Sequence, residues 1–194
     1  MLPHALRVIG ESAFTECKGL EQVVFGDKSE LEEIGTKAFF QCGLRSFAAP
    51  PRLQKIGALA FSGCLRLSDF RLNQGIQELG WLCFLTTAVQ QIDVPPQVGK
   101  TLEQLGVGQS IQKVLRLPDG LEVVGREWFE ESDMSKVIVS NSVRELGVNA
   151  FRGCMELREL VFEPGTRLER ICNSCFCCCG FKKLVSPRSV RVIE

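Results

Sequence analysis

The fold is decided by the stretch Ile9-Gly10-Glu11-Ser12-Ala13-Phe14-Thr15-Glu16-Cys17, because its pattern returns about every 23 residues. The returning features are an aliphatic residue before glycine, then Ala-Phe, then Cys. The clearest later copies are Ile34-Gly35 with Ala38-Phe39 and Cys42, Ile56-Gly57 with Ala60-Phe61 and Cys64, and Leu146-Gly147 with Ala150-Phe151 and Cys154. Weaker copies begin at Leu79, Leu105, Val124 and Ile171. A fixed period of this size is typical of a solenoid, in which each unit buries its apolar face against its neighbours.

A second, longer repeat relates the two ends of the chain. Residues 14–57 align without a gap with residues 151–194 at an offset of 137, so that Phe14 matches Phe151 and Cys42 matches Cys179. Such a match indicates duplicated structure, and we expect a single array over residues 1–194. Both ends stop in mid-repeat, so we expect a fragment of a longer array whose uncapped ends self-associate.

Each repeat contains one segment in which apolar residues alternate, as in Leu20-x-x-Val23-x-Phe25. This alternation predicts one short strand per rung, pairing in parallel with the next rung. Prolines such as Pro50-Pro51 follow several of these segments and end the strand, because proline lacks the donor that a ladder requires. We expect a single helical or 3₁₀ turn from Ala13 to Cys17, and a tight turn or close packing at the repeated glycine.

Composition and charge exclude several classes of protein. The 23 basic and 23 acidic residues cancel, which argues against a nucleic-acid partner. The longest apolar run, residues 81–85, is too short to span a bilayer, so we expect no membrane insertion. The amino terminus lacks the features of a signal peptide, and sequence alone therefore favours a cytoplasmic chain. His4 is the only histidine, so we expect neither a catalytic residue nor a cofactor.

The chain has ten cysteines, and half of them share one position of the repeat. Cys17, Cys42, Cys64, Cys154 and Cys179 share one position, which favours a ladder of buried small side chains. The distance between neighbouring rungs allows a disulfide between Cys17 and Cys42 or between Cys42 and Cys64. Such disulfides fit poorly, however, because the chain shows no export signal. A second cluster runs from Cys172 to Cys179. Its alternative function is thiol-based metal binding or redox sensing, with Cys172, Cys175, Cys178 and Cys179 as candidate ligands.

The residues between the inward strand positions form the exposed strand face. One column of this face is polar throughout, and its neighbour becomes apolar towards the carboxyl end with Ile138, Val161 and Val185. An apolar row with a charged rim is typical of a protein-binding surface. The predicted partner-binding residues are therefore Ile138, Val161, Val185, Lys136, Arg158 and Lys182. The alternative is that β-branched residues occupy these positions because they favour strand.

The pattern Ile-Gly-x-x-Ala-Phe-x-x-Cys-x-x-Leu, followed by a strand and often proline, resembles leucine-rich repeats of the BspA-like type. The resemblance covers about residues 6–194 and is specific in the copies at residues 9, 34, 56 and 146. It implies an α/β, β-dominated leucine-rich-repeat solenoid of about eight stacked rungs in a right-handed superhelix. It also implies a non-enzymatic scaffold that binds a protein or an extended peptide, or serves in adhesion as a surface antigen. If the chain is a fragment, the resemblance implies placement at a cell surface.

Overall fold

The computed structural model describes residues 2–107, 114–132 and 134–194. Its backbone forms two compact units, residues 1–110 and 111–194. Both units are built from very short parallel strands joined by turns. None of the helices in these ranges has the length and apolar character that crossing a bilayer requires.

Unit 1 contains two parallel ladders. Its strands are β1 (Val8–Ile9), β2 (Glu33–Ile34), β3 (Ser46–Ala48), β4 (Lys55–Ile56), β5 (Asp69–Arg71) and β6 (Glu78–Leu79). The first ladder has the order β1-β2-β4-β6, and the second pairs β3 with β5. A 3₁₀ helix (Pro96–Val98) and α1 (Leu102–Leu105) follow. Backbone bonds from Leu82 N to Gln104 O (2.9 Å) and from Phe84 N to Leu105 O (2.9 Å) attach this weak fifth copy to the fourth.

Unit 2 repeats the same arrangement. Its strands are β7 (Val114–Arg116), β8 (Val123–Val124), β9 (Lys136–Val139), β10 (Glu145–Leu146), β11 (Glu159–Phe162), β12 (Arg170–Ile171) and β13 (Val192–Ile193). The first ladder has the order β8-β10-β12-β13, and the second has the order β7-β9-β11. The first ladders of the two units contain eight strands among the described residues. Seven of them lie at predicted copies, whereas the copy at Leu105 lies in α1 and the eighth strand is β13.

The segment from Ala13 to Cys17 is a run of turns, so the expected helical or 3₁₀ turn is wrong. Ser12 and Glu16 have positive φ, at 55° and 59°, which a right-handed helix does not allow. The physical reason is that alternate N–H groups donate to the next rung. The bonds run from Ser12 N to Thr36 O (2.9 Å), from Phe14 N to Ala38 O (2.8 Å) and from Glu16 N to Phe40 O (2.7 Å).

This third ladder continues through both units at the same repeat positions. Its later members include the bonds from Phe39 N to Ala60 O, Phe61 N to Cys83 O, Phe129 N to Ala150 O and Phe151 N to Cys175 O. Neighbouring rungs are therefore joined by as many as three ladders, two formed by strands and one formed by turns.

The repeated glycine is required by close packing. A Cβ on Gly57 would lie 2.5 Å from the backbone nitrogen of Thr36 in the preceding rung. Gly57 does not have positive φ, so turn conformation is not the reason. Gly10, in the first copy, has no atom within 4 Å of the corresponding point.

Phenylalanine rings form the core of unit 1. One column stacks Phe14, Phe39, Phe61 and Phe84, with ring centroids 5.2 to 6.1 Å apart. Phe47 and Phe70, from the second strand ladder, meet this column edge-on, with centroids 4.8 and 4.9 Å from Phe61. Unit 2 has a sparser column of Phe129, Phe151 and Phe176. Its second ladder contributes aliphatic side chains such as Val137 instead.

Candidate protein-binding face

The second strand ladder of unit 2 presents one face to the core and one to solvent. Pairing aligns Leu115 with Val137 and Val137 with Leu160, and these side chains point inward. Because side chains alternate along a strand, the residues on either side of each point outward. We call the outward surface of β7, β9 and β11 the unit 2 face.

An aliphatic pair lies at the centre of the unit 2 face. The register places Ile138 directly opposite Val161, and Arg116 opposite Ile138 on the other side. Val161 is 39% exposed, and Ile138 is partly buried between its two neighbours. Backbone pairing therefore places Ile138 and Val161, two residues of the predicted apolar column, next to each other.

One edge of the face carries an ion pair between rungs. Lys136 Nζ lies 2.9 Å from a carboxylate oxygen of Glu159, its cross-strand partner. Arg158 is held by Glu156 at 2.8 Å within its own rung. Exposed pairs of this kind contribute about 0–1 kcal/mol to stability, so their main effect here is to set the pattern of charge.

Arg116 makes the charged contact at the opposite edge of the face. Its guanidinium donates to Glu163 at 2.8 and 3.2 Å and to Asp119 at 3.0 Å. Because Arg116 belongs to β7 and Glu163 directly follows β11, this contact spans the rung of β9. The other Glu163 oxygen accepts from the N–H of Asn141 at 3.4 Å. The aliphatic pair thus has a charged contact on each side.

The other predicted partner-binding residues, Val185 and Lys182, do not lie on the paired strands of this face. Val185 is 66% exposed and lies outside the strands that residues 114–132 and 134–194 form. Lys182 is exposed in the same connecting segment. The structure therefore aligns Ile138 and Val161 with each other but does not pair Val185 with them.

The corresponding face of unit 1 is polar. Ala48 pairs with Arg71, and Ser46 pairs with Asp69. Arg71 donates to Asp69 at 3.1 and 3.2 Å. Val24, at the position that matches Val161, is 44% exposed. Two surfaces of the same repeat architecture therefore differ in chemistry.

The cysteine ladder has a structural role that sequence reasoning missed. Four of its five thiols donate to the carbonyl oxygen of the repeated phenylalanine in the preceding rung. These bonds run from Cys42 to Phe14 (2.9 Å), Cys64 to Phe39 (3.0 Å), Cys154 to Phe129 (3.1 Å) and Cys179 to Phe151 (3.1 Å). All ten cysteines are free thiols, so neither disulfide that the spacing left open is present.

In the fourth copy, Thr87 takes the place of the repeated cysteine. Its hydroxyl donates to Phe84 O at 2.8 Å, and Phe84 is the repeated phenylalanine of its own rung. Cysteine and threonine share little besides small size and a donor. The fourth copy therefore keeps a small hydrogen-bond donor at this position, but its bond lies within the rung and does not extend the cysteine ladder.

The cluster from Cys172 to Cys179 separates into different environments. Cys175 is buried, and burial raises the pKa of its thiol to about 12. Cys172 donates towards Glu145 at 3.5 Å, and Cys179 belongs to the cysteine ladder. Cys178 is exposed and lies 3.6 Å from Cys177. Within the described ranges, no three His, Cys, Asp or Glu side chains converge as metal ligands would, so the alternative of a thiol metal site gains no support.

Comparisons with known proteins identify the repeat. The BspA type leucine rich repeat region matches residues 1–105 and 108–194, in six copies. No curated protein matches this chain.

Among solved structures, the pneumococcal vaccine antigen PcpA is 19% identical with a TM-score of 0.54, over 98% of this chain and 56% of the antigen chain. A leucine rich cell surface protein from Faecalibacterium prausnitzii is 18% identical with a TM-score of 0.47, over 100% of this chain and 58% of that one. A leucine-rich repeat protein from Bacteroides capillosus is 26% identical with a TM-score of 0.39, over 43% of this chain and 67% of that one.

The likeness to PcpA confirms the leucine-rich-repeat fold, and the aligned part is little more than half of that antigen. The repeat match extends over nearly all of the sequence. The chain therefore belongs to the BspA-type leucine-rich repeat family.

Proposed function

We propose that this chain is a non-enzymatic scaffold that binds a protein or an extended peptide on the unit 2 face. The observation that carries the proposal is the aligned pair Ile138 and Val161, bordered by the Lys136–Glu159 contact and the Arg116–Glu163 contact. Membership of the family supports it, since leucine-rich repeat proteins are generally non-enzymatic and typically bind proteins.

The proposed mechanism is rigid display. The outward side chains belong to strands whose backbone is already paired on both sides of β9. A partner that docks on this face need not order a loop, which lowers the entropic cost of association. The aliphatic pair would supply the desolvated contact, and the two ion pairs would set orientation.

A finer part of the proposal is adhesion at a cell surface. It rests on the association of BspA-like repeats with adhesion, and the unit 2 face is the surface we assign to it. We further expect the isolated chain to self-associate through its end rungs, where Ile193 is 63% exposed on β13.

The experiment compares variants in a proximity-labelling pull-down. Val161→Asp should lose specific protein partners, whereas Val24→Asp, the same change at the matching exposed position of unit 1, should keep them. A charge swap, Lys136→Glu with Glu159→Lys, keeps an ion pair between the same rungs but reverses the rim. This double variant should weaken the binding of the same partners.

Two results would contradict the proposal. One is an unchanged partner list in Val161→Asp and in the charge swap. The other is equal loss in Val161→Asp and Val24→Asp, which would place binding elsewhere or indicate a general defect. Thermal unfolding of each variant establishes that the partners are lost from a folded chain.

A further inference from the structure

A basic pocket lies on unit 2, across the turns that precede β10, β12 and β13. Its volume is about 300 Å³, and it is lined by Arg144, Thr166, Arg167, Glu169, Arg188, Ser189 and Arg191. Backbone bonds from Glu169 N to Arg144 O (2.8 Å) and from Arg191 N to Glu169 O (2.9 Å) align three of these residues across consecutive rungs.

The charge of the basic pocket is only partly compensated. Glu169 is its only acid and lies 3.6 Å from Arg144. Arg167, Arg188 and Arg191 are exposed, and none has a carboxylate within 4.0 Å among the described residues. A concave site with three unpaired guanidinium groups attracts anions. Each guanidinium also has the donor geometry that grips phosphate or sulfate oxygens in pairs.

Two buried hydroxyls without hydrogen-bond partners belong to residues that line this pocket. Thr166 Oγ1 and Ser189 Oγ are the only buried side-chain nitrogen or oxygen atoms without a hydrogen-bond partner in the described ranges, and both residues line the basic pocket. Leaving a buried hydroxyl unpaired is unfavourable, because the group has lost its hydrogen bonds to water without gaining others. Ser142, two rungs before Ser189 in the register, is fully engaged: it accepts from Gly120 N at 3.1 Å and donates to Leu121 O at 3.0 Å.

The scaffold does not require these arginines. The corresponding turns of unit 1 form a pocket of about 260 Å³ lined by Glu32, Glu33, Gln54, Lys55, Gln77 and Glu78. The offset of 137 residues matches Glu169 with Glu32, and Arg191 with Gln54. The lining of the pocket is therefore net acidic in unit 1 and net basic in unit 2.

We propose that the basic pocket binds a phosphate or sulfate monoester of a sugar-sized molecule. The arginines would hold the oxyanion, and the buried hydroxyls of Thr166 and Ser189 would donate to it after a small local shift that exposes them. The volume exceeds what a single tetrahedral anion fills, and no aliphatic or aromatic side chain lines the pocket, which favours a polar body on the ligand. This site is independent of the unit 2 face.

The test is isothermal titration of the full chain at about 0.15 M salt, where weak surface attraction is screened. The probes are glucose 6-phosphate, glucose 6-sulfate, inorganic phosphate, inorganic sulfate and succinate. We expect one equivalent of a sugar ester to bind more tightly than the matching inorganic ion, and succinate not to bind. The tighter of the two esters identifies the group that the site prefers.

Matched variants separate a built site from diffuse charge. Arg167→Glu with Arg188→Glu should weaken ester binding by about tenfold or more. Arg45→Glu with Arg66→Glu, which changes the net charge equally on exposed arginines of unit 1, should leave it unchanged. Arg191→Gln, which introduces the residue found at the matching position of unit 1, is a milder variant and should weaken binding as well.

Three results would overturn the proposal. The first is that neither ester releases or absorbs heat, and the second is that the two double variants weaken binding equally. The third is full affinity both in the double variant Arg167→Glu/Arg188→Glu and in the single variant Arg191→Gln. Urea unfolding of each variant shows that the comparison is made between folded chains.

Discussion

Replacing Phe61 by leucine should destabilise the protein more than the same change at Phe151. Both rings are fully buried and occupy the same repeat position. Phe61 meets four rings, those of Phe39, Phe47, Phe70 and Phe84, with centroids 4.8 to 6.1 Å from its own. Phe151 meets only Phe129 and Phe176 among the described residues, at 5.3 and 5.5 Å.

The magnitude follows from the difference in ring contacts. Leucine keeps most of the apolar burial but loses the aromatic geometry, which contributes about 0.5–1.5 kcal/mol for each pair. Phe61 loses two edge-to-face pairs more than Phe151 does. The excess loss at Phe61 is therefore about 1–3 kcal/mol.

The two tryptophans of the chain provide the assay, because Trp81 lies in unit 1 and Trp128 in unit 2. Urea unfolding followed by fluorescence in a Trp128→Phe background reports on unit 1, and the Trp81→Phe background reports on unit 2. Each leucine variant is compared with its own single-tryptophan parent. Equal losses of unfolding free energy at the two positions, or a larger loss at Phe151, would refute the reasoning.

Three further predictions test the packing and the thiols. Gly57→Ala should lower stability by about 1–3 kcal/mol because the new methyl meets the backbone of the preceding rung, whereas Gly10→Ala has open space and should leave the urea midpoint unchanged; equal effects would contradict this. Cys64→Ser keeps a donor for the carbonyl that the thiol contacts, so thermal unfolding should show it to be about 1 kcal/mol more stable than Cys64→Val; the reverse order would deny the hydrogen bond a role. Burial raises the pKa of Cys175 to about 12, so above about pH 8.5 the unfolded chain loses this proton while the folded chain keeps it, and stability should fall as pH rises towards 12. The fall should be shallower in Cys175→Ala than in Cys177→Ala, whose thiol is exposed, and identical slopes would contradict the assignment.

Much of the strand architecture is predictable from sequence. Ile34 and Ile56 precede the repeated glycine, and the structure pairs them in register and buries both completely. The alternation around Phe47 and Phe70 likewise predicts the inward column of the second ladder. These features are local and periodic, and a pattern of apolar residues records them directly.

The turn ladder could not be predicted in the same way. Its positive φ angles fall on residues that carry no such signal, including Leu59 at 56° and Glu127 at 57°. Gly63 and Asn149 are the residue types that suggest this conformation, at 77° and 54°. The conformation is imposed by hydrogen bonds to the adjacent rung, so it is a property of the stack and not of the segment.

The candidate site was predictable in outline only. The apolar positions of Ile138 and Val161 follow from alternation, but their direct opposition depends on the strand register. The Arg116–Glu163 contact joins residues 47 positions apart, across two rungs, and has no local pattern. Val185 shares the spacing of the other two residues, and yet its segment forms no strand in the described residues.

The three hydrogen-bond ladders have a consequence for how each unit would yield under tension. Every ladder joins a rung only to its immediate neighbours, and neighbouring rungs begin 22 to 25 residues apart. A force applied along the chain would therefore detach one rung at a time, and the unit would not have to unfold in a single event. Each step would release roughly 75–85 Å of chain at the extension of a stretched backbone. A scaffold built in this way can lengthen under load while the remaining turns keep their shape.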